Sequence, residues 1–223
     1  MDSASVIDNA IKMHDMDTFK SLLTDFNNNS QIHGFIARMI EYGFSDMLEV
    51  FIKYCDEKGL AIYFGSYINA IAKDIRIANA FLRGSTRINE TILKSILHQA
   101  TISGGPGVMK RLLEDSRIDP SEDDNLTLRS SILQNDVAQV KMLLADARVD
   151  PSIRENWPVR YASCALGNAE LVRVLMQDPR VDPSANNNEC LRWAIYNDNL
   201  DLIHALVKDK RVDPSIDDNA LLH

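Results

Sequence analysis

Arg117-Ile118-Asp119-Pro120-Ser121 returns as Arg148-Val149-Asp150-Pro151-Ser152, as Arg180-Val181-Asp182-Pro183-Ser184 and as Arg211-Val212-Asp213-Pro214-Ser215. The four aspartates are spaced by 31, 32 and 31 residues. A fixed period of that length marks an array of supersecondary units, each too small to bury its apolar face alone. Ahead of each copy stands an apolar pair: Leu112-Leu113, Leu143-Leu144, Leu175-Met176 and Leu206-Val207. After each copy comes an asparagine three residues before a new apolar position: Asn125, Asn156, Asn188 and Asn219. Those asparagines read as helix N-caps, because a short side-chain carbonyl can accept from the unpaired amides of a first turn.

Stepping back through the less regular half gives one apolar anchor per unit: Ile7, Ile36, Tyr67, Leu97, Leu128, Val159 and Leu191, with Leu222 opening an eighth. Three residues after these stand Ala10, Met39, Ala70, Ala100, Ser131, Ala162 and Ala194, mostly small enough for two helices to approach closely. Further along come His14, Gly43, Asp74, Gly104, Asn135, Gly167 and Asp198. These are the residue types that best tolerate a left-handed backbone, as a tight helix-helix turn requires. Beyond the turn, Phe19, Leu22 and Leu23, or Val140, Leu143 and Leu144, keep helical spacing. Each unit is therefore expected to hold two short helices.

At Leu97 through Leu113 the pattern resembles the ankyrin repeat signature, with His98, Ala100, a glycine turn at Gly104-Gly105 and a Val/Leu-rich second helix. Leu191 to Val207 is similar; Arg129, Arg160 and Arg192 stand where that family has histidine, and Pro158 keeps its proline. The Arg-Val-Asp-Pro-Ser form looks similar to arrays of protists and large DNA viruses. The resemblance implies an all-α solenoid of stacked helix-turn-helix repeats joined by hairpin-like finger loops. Residues 1–96 would form three divergent repeats, 97–221 four regular ones, and 222–223 the start of an eighth, in one continuous array. Asn79 and Arg83 fit the register worst. Tetratricopeptide, pentatricopeptide and HEAT units are longer and fit less well.

The family's usual role is to hold another protein on its concave face without a catalytic group. Carried onto this chain, the two residues before each turn are the groove positions: Lys12-Met13, Glu41-Tyr42, Ala72-Lys73, Ile102-Ser103, Leu133-Gln134, Ala165-Leu166 and Tyr196-Asn197. The binding candidates are Met13, Tyr42, Lys73, Ser103, Gln134, Trp157, Tyr196 and Asn197. Tyr42, Trp157 and Tyr196 are either interface anchors or rings packed on a neighbouring finger. The acidic finger tips Glu122-Asp123-Asp124, Glu155, Glu189 and Asp217-Asp218 are either steering groups for a basic partner or simply solvated. Asp115/Arg117, Asp146/Arg148, Asp178/Arg180 and Asp209/Arg211 recur in every regular unit, which points to structure: a ladder of alternating charge along the array.

Composition narrows the function further. The chain has 223 residues, 45% apolar and 25% charged, with a net charge of -8. That acidity disfavours nucleic acid or anionic membrane as the main partner. Three cysteines, Cys55, Cys164 and Cys190, leave one over in any disulfide scheme, which fits reduced thiols in cytosol or nucleus, or in host cytoplasm for a viral protein. The opening MDSASVIDNA lacks the basic start and apolar run of a secretory signal. The uncharged stretch from Gly59 to Ala72 is too short to span a bilayer. The five histidines have no partner at metal-ligand spacing, and no catalytic elbow or Walker lysine loop occurs. The cluster Ser103-Gly104-Gly105-Pro106-Gly107, followed by Lys110 and Arg111, is read as an inter-helix turn rather than a phosphate loop. The expectation is a non-enzymatic protein-binding module with no cofactor, whose C-terminal edge could meet further chain or another copy. The alternative is the targeting arm of a longer protein, such as a ubiquitin-ligase adaptor or an enzyme.

Overall fold

The computed structural model describes residues 3–215 apart from 25, 27 and 104. Among the described residues there are fourteen α-helices and no strand. They form two compact units, Met1–Ile118 and Asp119–His223, parted within the first Arg-Ile-Asp-Pro-Ser copy. In the first unit the pairs are α1 (Ser3–Lys12) and α2 (Met16–Leu23), α3 (Ile32–Tyr42) and α4 (Ser45–Glu57), α5 (Ile68–Lys73) and α6 (Ile75–Gly84), and α7 (Glu90–Ser103) and α8 (Pro106–Leu113). The second holds α9 (Glu122–Leu133) and α10 (Val137–Leu144), α11 (Ile153–Cys164) and α12 (Ala169–Met176), and α13 (Ala185–Tyr196) and α14 (Leu200–Val207). Within each unit, first helices pack on first helices and second on second. Thus α5 lies on α7 and α4 on α6 in one, α11 on α13 and α10 on α12 in the other.

All seven anchors are buried, from Ile7 to Leu191. Ala10, Ala100, Ser131, Ala162 and Ala194 are buried as the close-approach reading requires, and so is the larger Met39. The two cores differ in texture. The first unit is built around aromatic rings, Phe51 lying 6.0 Å from Phe19, 5.8 Å from Phe26 and 6.0 Å from Phe35 between centroids. The second is aliphatic, with Leu128, Val140, Leu143, Val159, Leu171 and Leu175 among its fully enclosed side chains. The tightest approach is at Gly84 on α6, where a Cβ would sit 2.9 Å from the side chain of Ile52 on α4. Asn79, a poor fit to the register, accepts from Arg111 Nε on α8 at 3.0 Å and so bonds one pair to the next.

The helix-helix turns follow the backbone argument. His14, Gly43, Asn135, Gly167 and Asp198 all have positive φ, between 51° and 74°. Asp74 is the exception: it is extended at φ -124° and caps α6 through the amide of Arg76. Gly104 lies outside the described residues. The cluster around it does separate α7 from α8, with Gly105 as N-cap and Pro106 opening the helix, where proline's missing N–H costs nothing.

The asparagines are not N-caps. Asn125, Asn156 and Asn188 close a left-handed turn of three residues, Asp123 to Asn125, Arg154 to Asn156 and Asn186 to Asn188, each at φ between 49° and 61°. Only beyond this turn does the right-handed helix begin. The freed side chains reach the next repeat: Asn125 Oδ1 accepts from the amide of Asp150 at 3.0 Å, and Asn156 Oδ1 from that of Asp182 at 2.7 Å. Asn188 donates instead, to the carbonyl of Asp213 at 3.0 Å; Asn219 lies outside the described residues. Side-chain caps stand instead before the second helices, where Asp15, Asp74, Asp136, Asn168 and Asn199 accept from first-turn amides, and before α7, where Asn89 accepts from Ile92.

Left-handed conformation is costly for residues other than glycine, least so for Asn and Asp. Here it is held from the side. Arg129 donates to the carbonyls of Asp123 and Asp124, both at 2.9 Å. Arg160 does so to Glu155 at 3.2 Å, and Arg192 to Asn186 and Asn187. The arginines at the family's histidine place are clamps for this turn.

Among the described residues the finger segments contain no hairpin strand. In each Asp-Pro-Ser the aspartate Oδ1 accepts from the amide and the hydroxyl of the serine two residues on, as in Asp150 with Ser152 at 2.9 and 2.7 Å. Proline offers no amide to a ladder, and the left-handed turn follows at once, so no extended run is left to pair.

The recurring Asp/Arg pairs close within a unit rather than as a charge ladder. Arg180 grips Asp178 with Nε and one terminal nitrogen at 2.9 and 2.6 Å, and its other terminal nitrogen donates to the carbonyl of Val149 in the preceding repeat at 2.7 Å. Arg117 reaches the carbonyls of Ser85 and Leu82 likewise, and Arg211 those of Val181 and Met176. Hydrogen bonds from these arginines, outweighing burial, hold Asp115, Asp146, Asp178 and Asp209 below the ordinary aspartate value of 3.8. Folded carboxyls depressed below their unfolded value add stability that is complete above that value. Unfolding free energy is therefore expected to be level near neutrality and to fall as pH drops through about 4 and below. Urea titrations at several acid pH values check this; a profile that stays flat into that range would contradict it.

Candidate functional site

The two residues before each turn sit at the C-terminal end of a first helix, where packing on neighbouring pairs gives way to the surface. In the first unit Lys12, Met13, Glu41, Tyr42, Lys73, Ile102 and Ser103 are exposed, whereas Ala72 is fully buried between helices and leaves the set. In the second, Leu133, Gln134, Ala165, Tyr196 and Asn197 are exposed, and Leu166 is half-buried.

The exposed set separates into two kinds. Helix C-termini leave carbonyls without intrahelical partners, and three of the polar candidates are spent on their own helix. Gln134 donates to the carbonyl of Ser130 at 3.1 Å, Asn197 to that of Trp193 at 3.0 Å, and Ser103 to that of Gln99 at 3.2 Å. Apart from the charged Lys12, Glu41 and Lys73, what remains for a partner is apolar. Ten large hydrophobic side chains are exposed among the described residues, and five of them occupy these positions: Met13 (72%), Tyr42, Ile102, Leu133 and Tyr196 (79%). That concentration makes the helix ends, rather than scattered surface, the candidate site.

Trp157 is not an open anchor. It is half-buried and stacked on Tyr161, with centroids 4.8 Å apart and planes 26° from parallel. Tyr42 keeps substantial exposure while leaning on Phe44 at 5.7 Å. Tyr196 stands edge-on to Trp193 at 5.5 Å, and Trp193 is itself exposed. Trp193 and Leu200 are the members that the repeat register did not single out. Leu200 opens a second helix, directly after the turn, and an apolar residue at that place was the signal available.

Bonds between successive turns hold these helix ends in place. The His14 ring lies flat on Phe44, 4.1 Å away and 4° from parallel, while its Nε2 meets both carboxyl oxygens of Asp46 at 3.0 Å. Burial is the largest single influence on the Asp46 carboxyl and pushes it up, but the hydrogen bonds from His14 and from backbone amides, together with the His14 charge, outweigh it and the net shift is down. In the second unit Asn168 donates to Asn135 Oδ1 at 2.6 Å, and Asn199 to the carbonyl of Gly167 at 2.8 Å.

The acidic tips are partly neutralised. Asp124 pairs with Arg154, and Glu189 with Arg160, so the charge offered to a basic partner is smaller than the sequence suggests. Asp217 and Asp218 lie outside the described residues. All three cysteines are free thiols, and burial pushes Cys55 and Cys164 up to about 12 and Cys190 to about 11. Such groups carry little thiolate at neutral pH. Among the described residues no three His, Cys, Asp or Glu side chains gather as metal ligands, and no helix is long and apolar enough to cross a membrane. No protein-family model, no curated protein and no solved structure matches this chain.

Proposed function

We propose that this chain is a non-enzymatic protein-binding module of ankyrin type, an all-α solenoid that holds a protein partner along the exposed ends of its first helices. The carrying observation is the recurrence of exposed large apolar side chains at the two register positions before the turn, Ile102, Leu133 and Tyr196 at the first and Met13 and Tyr42 at the second. In each unit, large apolar groups at these places beside bonded turns are of the kind that dominates binding energy. A net charge of -8 favours a protein over nucleic acid or an anionic membrane, and buried reduced thiols suit a cytoplasmic or nuclear setting.

The test places a photo-crosslinking residue at Tyr196, Leu133 or Met13, and, as controls, at Lys20 or Lys110 on exposed parts of second helices. In extracts of the source cells, discrete adducts are expected from the first group and not from the second. For a partner so identified, Tyr196→Ala is expected to weaken binding about tenfold or more. Equal adduct yields from both groups, with helicity intact, would remove the helix ends as the binding face.

A further inference from the structure

The uncharged stretch after α4 serves none of the roles above. Gly59, at φ 71°, turns the chain out of the helix, and Leu60 to Ser66 form one wall of a cavity of about 540 Å³ closed by the residues leading into α7. The wall is held to the core, since Phe64 and Tyr67 both pack on Phe81, at 6.1 and 5.5 Å. Half-buried Leu60, Ile62, Phe64 and Ile92 line the cavity with apolar surface. This volume lies within the range of small-molecule sites.

Its polar groups are unevenly committed. Asp56 accepts from Ser85 Oγ at 2.6 Å and from the amide and hydroxyl of Thr86 at 3.3 and 3.0 Å. Burial raises its pKa, but these bonds outweigh burial and keep it ionised. Asn89 Oδ1 is likewise spent, on the amide of Ile92 at 2.9 Å. Donors are left over. Arg87 gives one terminal nitrogen to the carbonyl of Leu60 at 3.1 Å and brings Nε only to 3.9 Å from Asp56, and its second terminal nitrogen has no partner among the described residues. The Asn89 amide nitrogen also points to no acceptor there.

We infer that this cavity binds a small apolar monocarboxylate, its hydrocarbon part between Ile62, Phe64 and Ile92 and its carboxylate on the uncommitted donors of Arg87 and Asn89. A guanidinium with spare N–H groups at the rim of an apolar hollow suits that chemistry, because charge-assisted bonds to carboxylate are its strongest. The inference stands apart from the protein-binding reading.

The experiment titrates the full chain with hydrocinnamate and with its uncharged amide, following isoleucine methyl signals by NMR. Saturable shifts at Ile62 and Ile92 are expected for the acid, with the amide about tenfold weaker. Arg87→Met should make acid and amide bind alike. Gly65→Leu should weaken both: a Cβ there meets Ile92 Cδ1 at an ordinary 3.8 Å and the backbone is not left-handed, so the backbone accepts a side chain that is directed against the lining of the hollow. Equal binding of acid and amide by the unaltered chain, no saturable shift, or acid binding that survives Gly65→Leu undiminished would each overturn the inference.

Discussion

Asn125→Ala is expected to lower the unfolding free energy of the second unit by about 2–4 kcal/mol. Two costs combine. Asn125 is 5% exposed, and its Oδ1 is the acceptor for the amide of half-buried Asp150, which the substitution leaves without that partner. An orphaned buried amide costs about 1–3 kcal/mol. The residue is also held at φ 51°, where alanine is less at ease than asparagine by roughly 1 kcal/mol. Asn125→Gly separates the two, since glycine keeps the conformation and loses only the acceptor. Urea unfolding should therefore place Gly between wild type and Ala. Equal stability of Ala and wild type would mean that this bond does not couple the repeats.

Phe51→Ala is expected to cost the first unit about 3–5 kcal/mol, a large share of an ordinary stability of about 5–15 kcal/mol. Phe51 is completely enclosed, and the rings of Phe19, Phe26 and Phe35 surround it from α2, α3 and the segment between them. Removing it opens a cavity that three rigid rings cannot collapse to fill, and forfeits three ring contacts of about 0.5–1.5 kcal/mol each. Phe51→Leu keeps most of the volume and should cost far less. Thermal melts followed by far-UV circular dichroism, with fluorescence of Trp157 and Trp193 reporting the second unit alone, distinguish local from global loss. A loss below about 1 kcal/mol for Phe51→Ala would contradict the packing described here.

Helix pairs were legible because their constraints are local. Gly43, Asn135 and Gly167 announce left-handed turns, and Ile7 or Val159 announce buried stripes, without reference to anything distant. Asn125 and Asn156 were misread for the opposite reason. An asparagine before an apolar run looks like a cap, and what fixes its role is an amide in the following repeat. The hairpin fingers came with the family resemblance rather than with these residues, and Pro120 with the left-handed Asp123 already opposed them. At the site, exposure followed from position, so Met13 and Tyr196 were found. The commitment of Gln134 and Asn197 to their own carbonyls could have been foreseen from the unpaired groups that end every helix. Trp193 and Leu200 lie outside the two places per repeat that the resemblance marks as groove positions.

The asparagine bond between repeats joins residues 25 apart in one case and 26 in the next. It secures the ends of a unit and is indifferent to the number of residues between them. The additional residue of that longer unit emerges at Gly167, in the turn between the helices, and the Gly167 carbonyl still accepts from Asn199 of the next repeat. Length can therefore drift at the tips while the vertical pitch of the repeats stays fixed. An added residue is accordingly accommodated at such a turn where its bond to the next turn survives, as that between Gly167 and Asn199 does.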